Sequence, residues 1–176
     1  MFDSLDKICP NQALDIIREG NVLRDYYISE KFDLSQEGTI KYPIVINNCF
    51  FENFNCVSVE VDSEFQLKNS FLRRATFSYT YFKKGSLIKD CIFSNYLDFQ
   101  SGGHNHSHFV IEGTTFNDFV NFFDCWFMSE VIIRNNTFNK GSNLFGNKGE
   151  QYEVKFDVNP IISNNLGILE LDGEGI

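Results

Sequence analysis

A six-residue phrase recurs along the chain at nearly constant spacing, and this constrains the fold more than any other feature. It reads Ile46-Asn47-Asn48-Cys49-Phe50-Phe51, Leu67-Lys68-Asn69-Ser70-Phe71-Leu72, Ile88-Lys89-Asp90-Cys91-Ile92-Phe93, Ile111-Glu112-Gly113-Thr114-Thr115-Phe116 and Ile133-Arg134-Asn135-Asn136-Thr137-Phe138, with a degraded last copy, Ile162-Ser163-Asn164-Asn165-Leu166-Gly167. Successive starts lie 21, 21, 23, 22 and 29 residues apart. A unit of this length buries its apolar face only by stacking on its neighbours, so the phrases predict the coils of a solenoid.

Each column of the phrase has a physical task. The first is always a large aliphatic residue, which a parallel strand turns inward onto its equivalents about 4.8 Å above and below. The third is Asn, Asn, Asp, Gly, Asn, Asn. These residues tolerate a left-handed backbone, so the chain turns a corner there, and amides at successive corners can bond along a ladder. The fourth is small, and the sixth is mostly Phe, entering the core on the next face. A second inward column is expected eight residues beyond each start, at Phe54, Ala75, Tyr96 and Phe119, failing at Gly141. Phe77, Phe82, Phe99, Phe122, Phe123 and Phe127 complete an aromatic interior.

The expected class is therefore all-β, a parallel β-helix of about six coils, and the resemblance of these phrases to the right-handed parallel β-helix class implies the right-handed sense. Residues 22–166 form the coils, 1–21 a capping segment and 167–176 a closing strand with an acidic tail. After Pro10, the apolar residues Ala13, Leu14, Ile16 and Ile17 before Gly20 predict a short amphipathic helix over the first coil. Gly141, Gly146 and Gly149 fall in the 29-residue step, where a loop should bulge from the column.

With Ile28-Ser29-Glu30-Lys31-Phe32-Asp33-Leu34 ahead of the Pro43–Phe51 segment, the chain resembles the right-handed β-helices, and among them the pentapeptide-repeat-like proteins of bacteria. The resemblance spans roughly residues 22–166. Two departures, Phe in place of Leu at the central inward position and coils longer than a regular square coil, point to a looser, three-faced or irregular coil.

Acidic residues number 24 against 15 basic, a net charge of −9, which argues against nucleic acid or an anionic membrane and for a basic protein partner. Residues 1–6 show no signal-like pattern and no long apolar run occurs, so a cytoplasmic chain is expected. Cys49 and Cys91 share a column two coils apart, beyond disulfide reach, so the five cysteines are expected as free buried thiols.

Two groups could carry chemistry. His104, His106 and His108 alternate, so in an extended segment their imidazoles would share one side and could hold zinc, copper or nickel. The plainer reading is a polar loop tip, since no Cys, Asp or Glu stands close in sequence to complete a shell. Asp90, Glu112 and Arg134 lie near one corner on successive coils, but Asp98, Asp118 and Asp124 fall in different columns, so no general acid and base pair is expected. The expectation is no catalytic residue, no cofactor and no enzyme activity.

Binding fits better. Glu60, Asp62 and Glu64 alternate, which would put three carboxylates on one strand face for a cationic target. The expected function is an immunity protein that neutralises a basic antibacterial toxin. The alternatives are a DNA mimic acting on a type II topoisomerase, which the pentapeptide-repeat resemblance implies, and a glycan-binding or glycan-cleaving β-helix.

Overall fold

The computed structural model describes residues 5–173. Strands of two to eight residues stack in parallel as a β-solenoid of about six coils. Each regular coil has four short sides, not the three or irregular number expected. The first side is a seven-stranded sheet of Leu23–Arg24, Ile44–Asn47, Phe65–Lys68, Ser86–Lys89, Phe109–Glu112, Val131–Arg134 and Ile161–Ser163. Its register pairs Leu23, Ile46, Leu67, Ile88, Ile111, Ile133 and Ile162 in one column. Leu23 heads that column without belonging to the six phrases. Leu23-Arg24-Asp25 carries the same signature of aliphatic residue and corner former, and that signal could have found it.

The second and third sides share one sheet, because Tyr26–Asp33 and Phe50–Asn55 run through both. The fourth side pairs Thr39–Ile40, Glu60–Val61 and Tyr81–Phe82, then continues through Gly103 to Trp126–Phe127 and Lys155–Phe156. Two corners per coil take a left-handed residue. One column holds Asn48, Asn69, Asp90, Gly113, Asn135 and Asn164, at φ between +51° and +63°. The other holds Ser58, Tyr79, Ser101 and Asp124, at φ between +52° and +57°.

The inward column of the third side corrects the eight-residue expectation. Phe54 pairs with Ala75, but Ala75 pairs with Leu97, Leu97 with Val120, and Val120 with Ser142. One extra residue enters the coil that starts at Ile88, and in parallel pairing a one-residue shift exchanges inside and outside. Tyr96 is therefore displaced from the column and stacks on Phe119, with ring centroids 6.3 Å apart. Ser142, not Gly141, continues the column.

The interior is a stack of rings. Phe32, Phe54, Phe77, Phe99 and Phe122 follow one another at 5.1 to 5.5 Å, the last pair tilted by only 1°. Twelve phenylalanines are among the largest fully buried side chains. Each contributes about 1.5–3 kcal/mol on leaving water, and aromatic contact adds to this.

The helix is Pro10–Arg18, with Pro at its first turn and Ala13 and Ile17 buried. The Cys9 N–H donates to Gln12 Oε1 at 3.0 Å, and Gly20 at φ +78° ends the turn. The helix packs on the Leu23–Arg24 and Tyr26–Asp33 strands, and Arg18 reaches Glu37 at 2.6 Å. Asp6–Ile8, which sequence patterning does not reveal, adds a strand beside Tyr26–Ile28.

At the other end no strand forms over residues 167–173. That segment instead lies across the preceding coil: the Phe145 N–H donates to the Leu169 carbonyl at 2.7 Å and the Leu171 N–H to the Ser142 carbonyl at 3.1 Å. The rest of the expected acidic tail lies outside the described residues. A Cβ on Gly146 would meet the Leu171 carbonyl oxygen at 1.8 Å, so this glycine permits the tail's close approach. The expected loop follows Asn147, before Lys155–Phe156 rejoins the fourth side.

Candidate partner-binding surfaces

The acidic run does not lie on one face. Glu60 belongs to the strand Glu60–Val61 on the fourth side, and the next strand, Phe65–Lys68, opens the first side of the following coil. Asp62 and Glu64 therefore round a corner. Glu60 lies 4.0 Å from Lys83 Nζ and Asp62 lies 3.6 Å from Lys84 Nζ, while Glu64 accepts a hydrogen bond from Gln66. Lysines one coil further on thus partly neutralise the run.

The same coil-to-coil pairing governs the other carboxylates. Glu112 bridges Lys89 at 3.3 Å and Arg134 at 2.8 Å, and the Arg134 guanidinium holds its carboxyl below the usual range. Asp90 stands apart from this ladder. Its carboxylate fills the space over Gly113, where a Cβ would meet Asp90 Oδ1 at 2.2 Å. Asp118 pairs with Lys140, Asp98 accepts from Ser78, Gln100 and Asn121, and Asp124 accepts from Ser101.

The three histidines are not brought together. The side chain between the first two, Asn105, turns inward and is fully buried, bonding the Ser107 carbonyl at 2.7 Å and accepting the Met128 N–H at 3.2 Å. His104, itself at φ +53°, folds its ring against Tyr81 at 4.2 Å and Trp126 at 5.5 Å. Burial, aided by the charge of Lys83, lowers its imidazole below the ordinary histidine value. His106 is exposed, and His108 lies 3.8 Å from Glu130. Among the described residues, no three His, Cys, Asp or Glu side chains are grouped to hold a metal ion.

All five cysteines are free, as expected, but only four are buried, since Cys9 is exposed beside the helix. Burial raises the thiols of Cys49 to about 11 and of Cys56 and Cys91 to about 12, and pushes Cys125 higher still.

Two surfaces emerge that no motif announces. On the outside of the first side, Val45, Leu87, Val110, Ile132 and Ile161 fall in one register column, interrupted by Gln66. The first four are half-buried and Ile161 is 50 % exposed. The phrase begins one residue after this column, so the alternation behind each start carries the signal. On the fourth side, Tyr79, Tyr81, His104 and Trp126 line a groove.

Compared with protein-family models, with curated proteins and with solved structures, the chain matches none of them. Fold and surface together define a parallel β-solenoid whose outer sides carry ion-pair ladders and a column of partly exposed aliphatic side chains. Among the described residues, no helix is long and apolar enough to cross a membrane.

Proposed function

We propose that this protein is a non-enzymatic, protein-binding solenoid, similar to the pentapeptide-repeat-like proteins, that serves in the cytoplasm as an immunity protein against a basic antibacterial toxin. The observation that carries the reading is the aliphatic column Val45, Leu87, Val110, Ile132 and Ile161 on the outside of a rigid, seven-stranded sheet. Outward positions of a sheet that faces only water are polar, whereas an apolar centre with a polar rim is the anatomy of a docking surface.

The rim is present on both edges. Lys68, Lys89, Glu112 and Arg134 flank the column on one side, and Glu64, His108 and Glu130 on the other. The net charge of −9 favours a basic partner by steering its approach. Paired carboxylates such as Glu112 support binding over acid–base catalysis, because their charges are already committed to Lys89 and Arg134. The DNA-mimic reading has less support, since the acids alternate with lysines and arginines from coil to coil.

The test is co-expression with the product of the neighbouring gene in a sensitive bacterium. Growth should be rescued by this chain and lost again with Val110→Asp and Ile132→Asp combined, in a variant whose circular dichroism is unchanged. Growth equally impaired with and without the chain removes the immunity reading. Rescue that ignores the paired substitution removes the first side as the interface.

A further inference from the structure

The aliphatic column of the first side is interrupted at Gln66, and a hollow of about 210 Å³ opens beside the interruption. Two register columns build it. Gln66, Leu87 and Val110 follow one another in the first. The same register, carried two residues back, aligns Glu64, Gly85 and His108 in the second, and all six residues line the hollow. What this hollow takes rests on the reading that the first side meets a basic partner, and it narrows that reading to one side chain of the partner.

The gap exists because Gly85 has no side chain. Glycine is required there for two reasons: its φ is +83°, and a Cβ would collide with the His108 carbonyl oxygen. That carbonyl accepts the Ser86 N–H at 3.0 Å, so the backbone of the next coil is fixed close against it. Glu64 from the coil before and His108 from the coil after therefore stand two strand spacings apart, about 9.6 Å, with an empty level between them. Leu87, at the level of the gap, and Val110 above it give the hollow an apolar wall.

The charges that line the hollow decide what fits. Lys84 lies 3.6 Å from Asp62, and His108 lies 3.8 Å from Glu130. Glu64 is exposed and accepts a hydrogen bond from the Gln66 amide, which orients its carboxylate, but among the described residues it forms no ion pair. An apolar side chain seated here would strip water from that carboxylate and return no cation. An anionic one would face it directly. An arginine meets every part of the lining: its methylene stem lies along Leu87 and Val110, and its planar guanidinium offers two N–H groups to one carboxylate. Lysine brings a compact, strongly hydrated charge that loses more on leaving water. We propose that the hollow over Gly85 is the anchor site for one arginine side chain of the basic partner, held by the Glu64 carboxylate. A single buried arginine of this kind is a frequent centre of binding energy in a docking surface.

The purified full chain is titrated with N-acetylarginine amide and followed by NMR at the Gln66 side-chain amide and the Leu87 and Val110 methyl groups. The corresponding derivatives of lysine, citrulline and glutamate serve as comparisons. Saturable shifts are expected with arginine, weaker binding with lysine, and no saturable response to glutamate or to citrulline, which keeps the shape of arginine without its charge. Glu64→Gln should weaken arginine binding by at least about tenfold. Glu60→Gln, a carboxylate outside the hollow, should leave it unchanged. No arginine response, an equal response to lysine or citrulline, or a response that survives Glu64→Gln or is lost with Glu60→Gln overturns the proposal. The titration contains no partner protein, so its failure leaves the immunity reading to the co-expression test, and failed rescue beside a saturable arginine response removes that reading alone.

Discussion

The backbone N–H of Thr114 donates to Asn136 Oδ1, one coil further on, at 2.9 Å. Both residues are 1 % exposed. The same bond recurs up the column: the Asn136 N–H reaches Asn165 Oδ1 at 3.0 Å, and the Cys49 N–H reaches Ser70 Oγ at 3.1 Å. At this corner the strands part, and a buried N–H without a partner is costly. A side chain from the next coil therefore closes the ladder. The fourth column of the phrase is polar for this reason, and its small size is secondary.

Asn136→Leu keeps the branched side-chain shape, at a larger volume, but leaves the Thr114 N–H and the Ile111 carbonyl without Asn136, whose Nδ2 donates to that carbonyl at 3.0 Å. Each buried group left unpaired costs about 1–3 kcal/mol. Urea denaturation should show a loss in the sum of that range. A loss below about 0.5 kcal/mol, the scale of an ordinary surface substitution, would show that water replaces the side chain.

Ile88 pairs between Leu67 and Ile111 and is fully buried, whereas its neighbour Leu87 faces outward between Gln66 and Val110. Ile88→Asp should destabilise by more than about 3 kcal/mol, since a carboxylate enters the stack without a partner. Leu87→Asp should cost less than about 1 kcal/mol. Equal losses in denaturant midpoint would refute the register.

Thiol labelling distinguishes Cys9 from the rest. In the native protein a charged disulfide reagent should modify Cys9 alone, because Cys49, Cys56, Cys91 and Cys125 are buried with raised thiols. After unfolding all five should react. Rapid native labelling of two or more would show that the coils open locally.

Asp33 supplies a pH dependence. Burial alone would raise its carboxyl, but hydrogen bonds from Lys31, Ser35 and Asn55 outweigh this and hold it well below the usual carboxylate range. A depressed folded value contributes stability that is present above the unfolded value of about 3.9 and is lost as pH falls further. Asp33→Asn should therefore be less stable at neutral pH and lose less stability below about pH 4. Parallel urea midpoints for both proteins across that window would contradict the assignment.

The left-handed corners at Asn48, Asn69, Asp90, Gly113, Asn135 and Asn164, the aliphatic column from Ile46 to Ile162 and the free thiols follow from residue identity and spacing, because each depends on what one residue prefers locally and how often it recurs. Less local features escape that reading. The shift from Tyr96 to Leu97 needs the pairing of two coils, since one inserted residue exchanges inside and outside without altering composition. The neutralisation of Glu60 and Asp62 depends on Lys83 and Lys84 lying one coil further on. The parting of the three histidines depends on the left-handed backbone at His104, which folds its ring against Tyr81 and Trp126 from the coils before and after. A periodic pattern specifies which residues lie inside, while the contacts between outward side chains arise only from stacking, because their partners are about twenty residues away in the chain and about one strand spacing away in space.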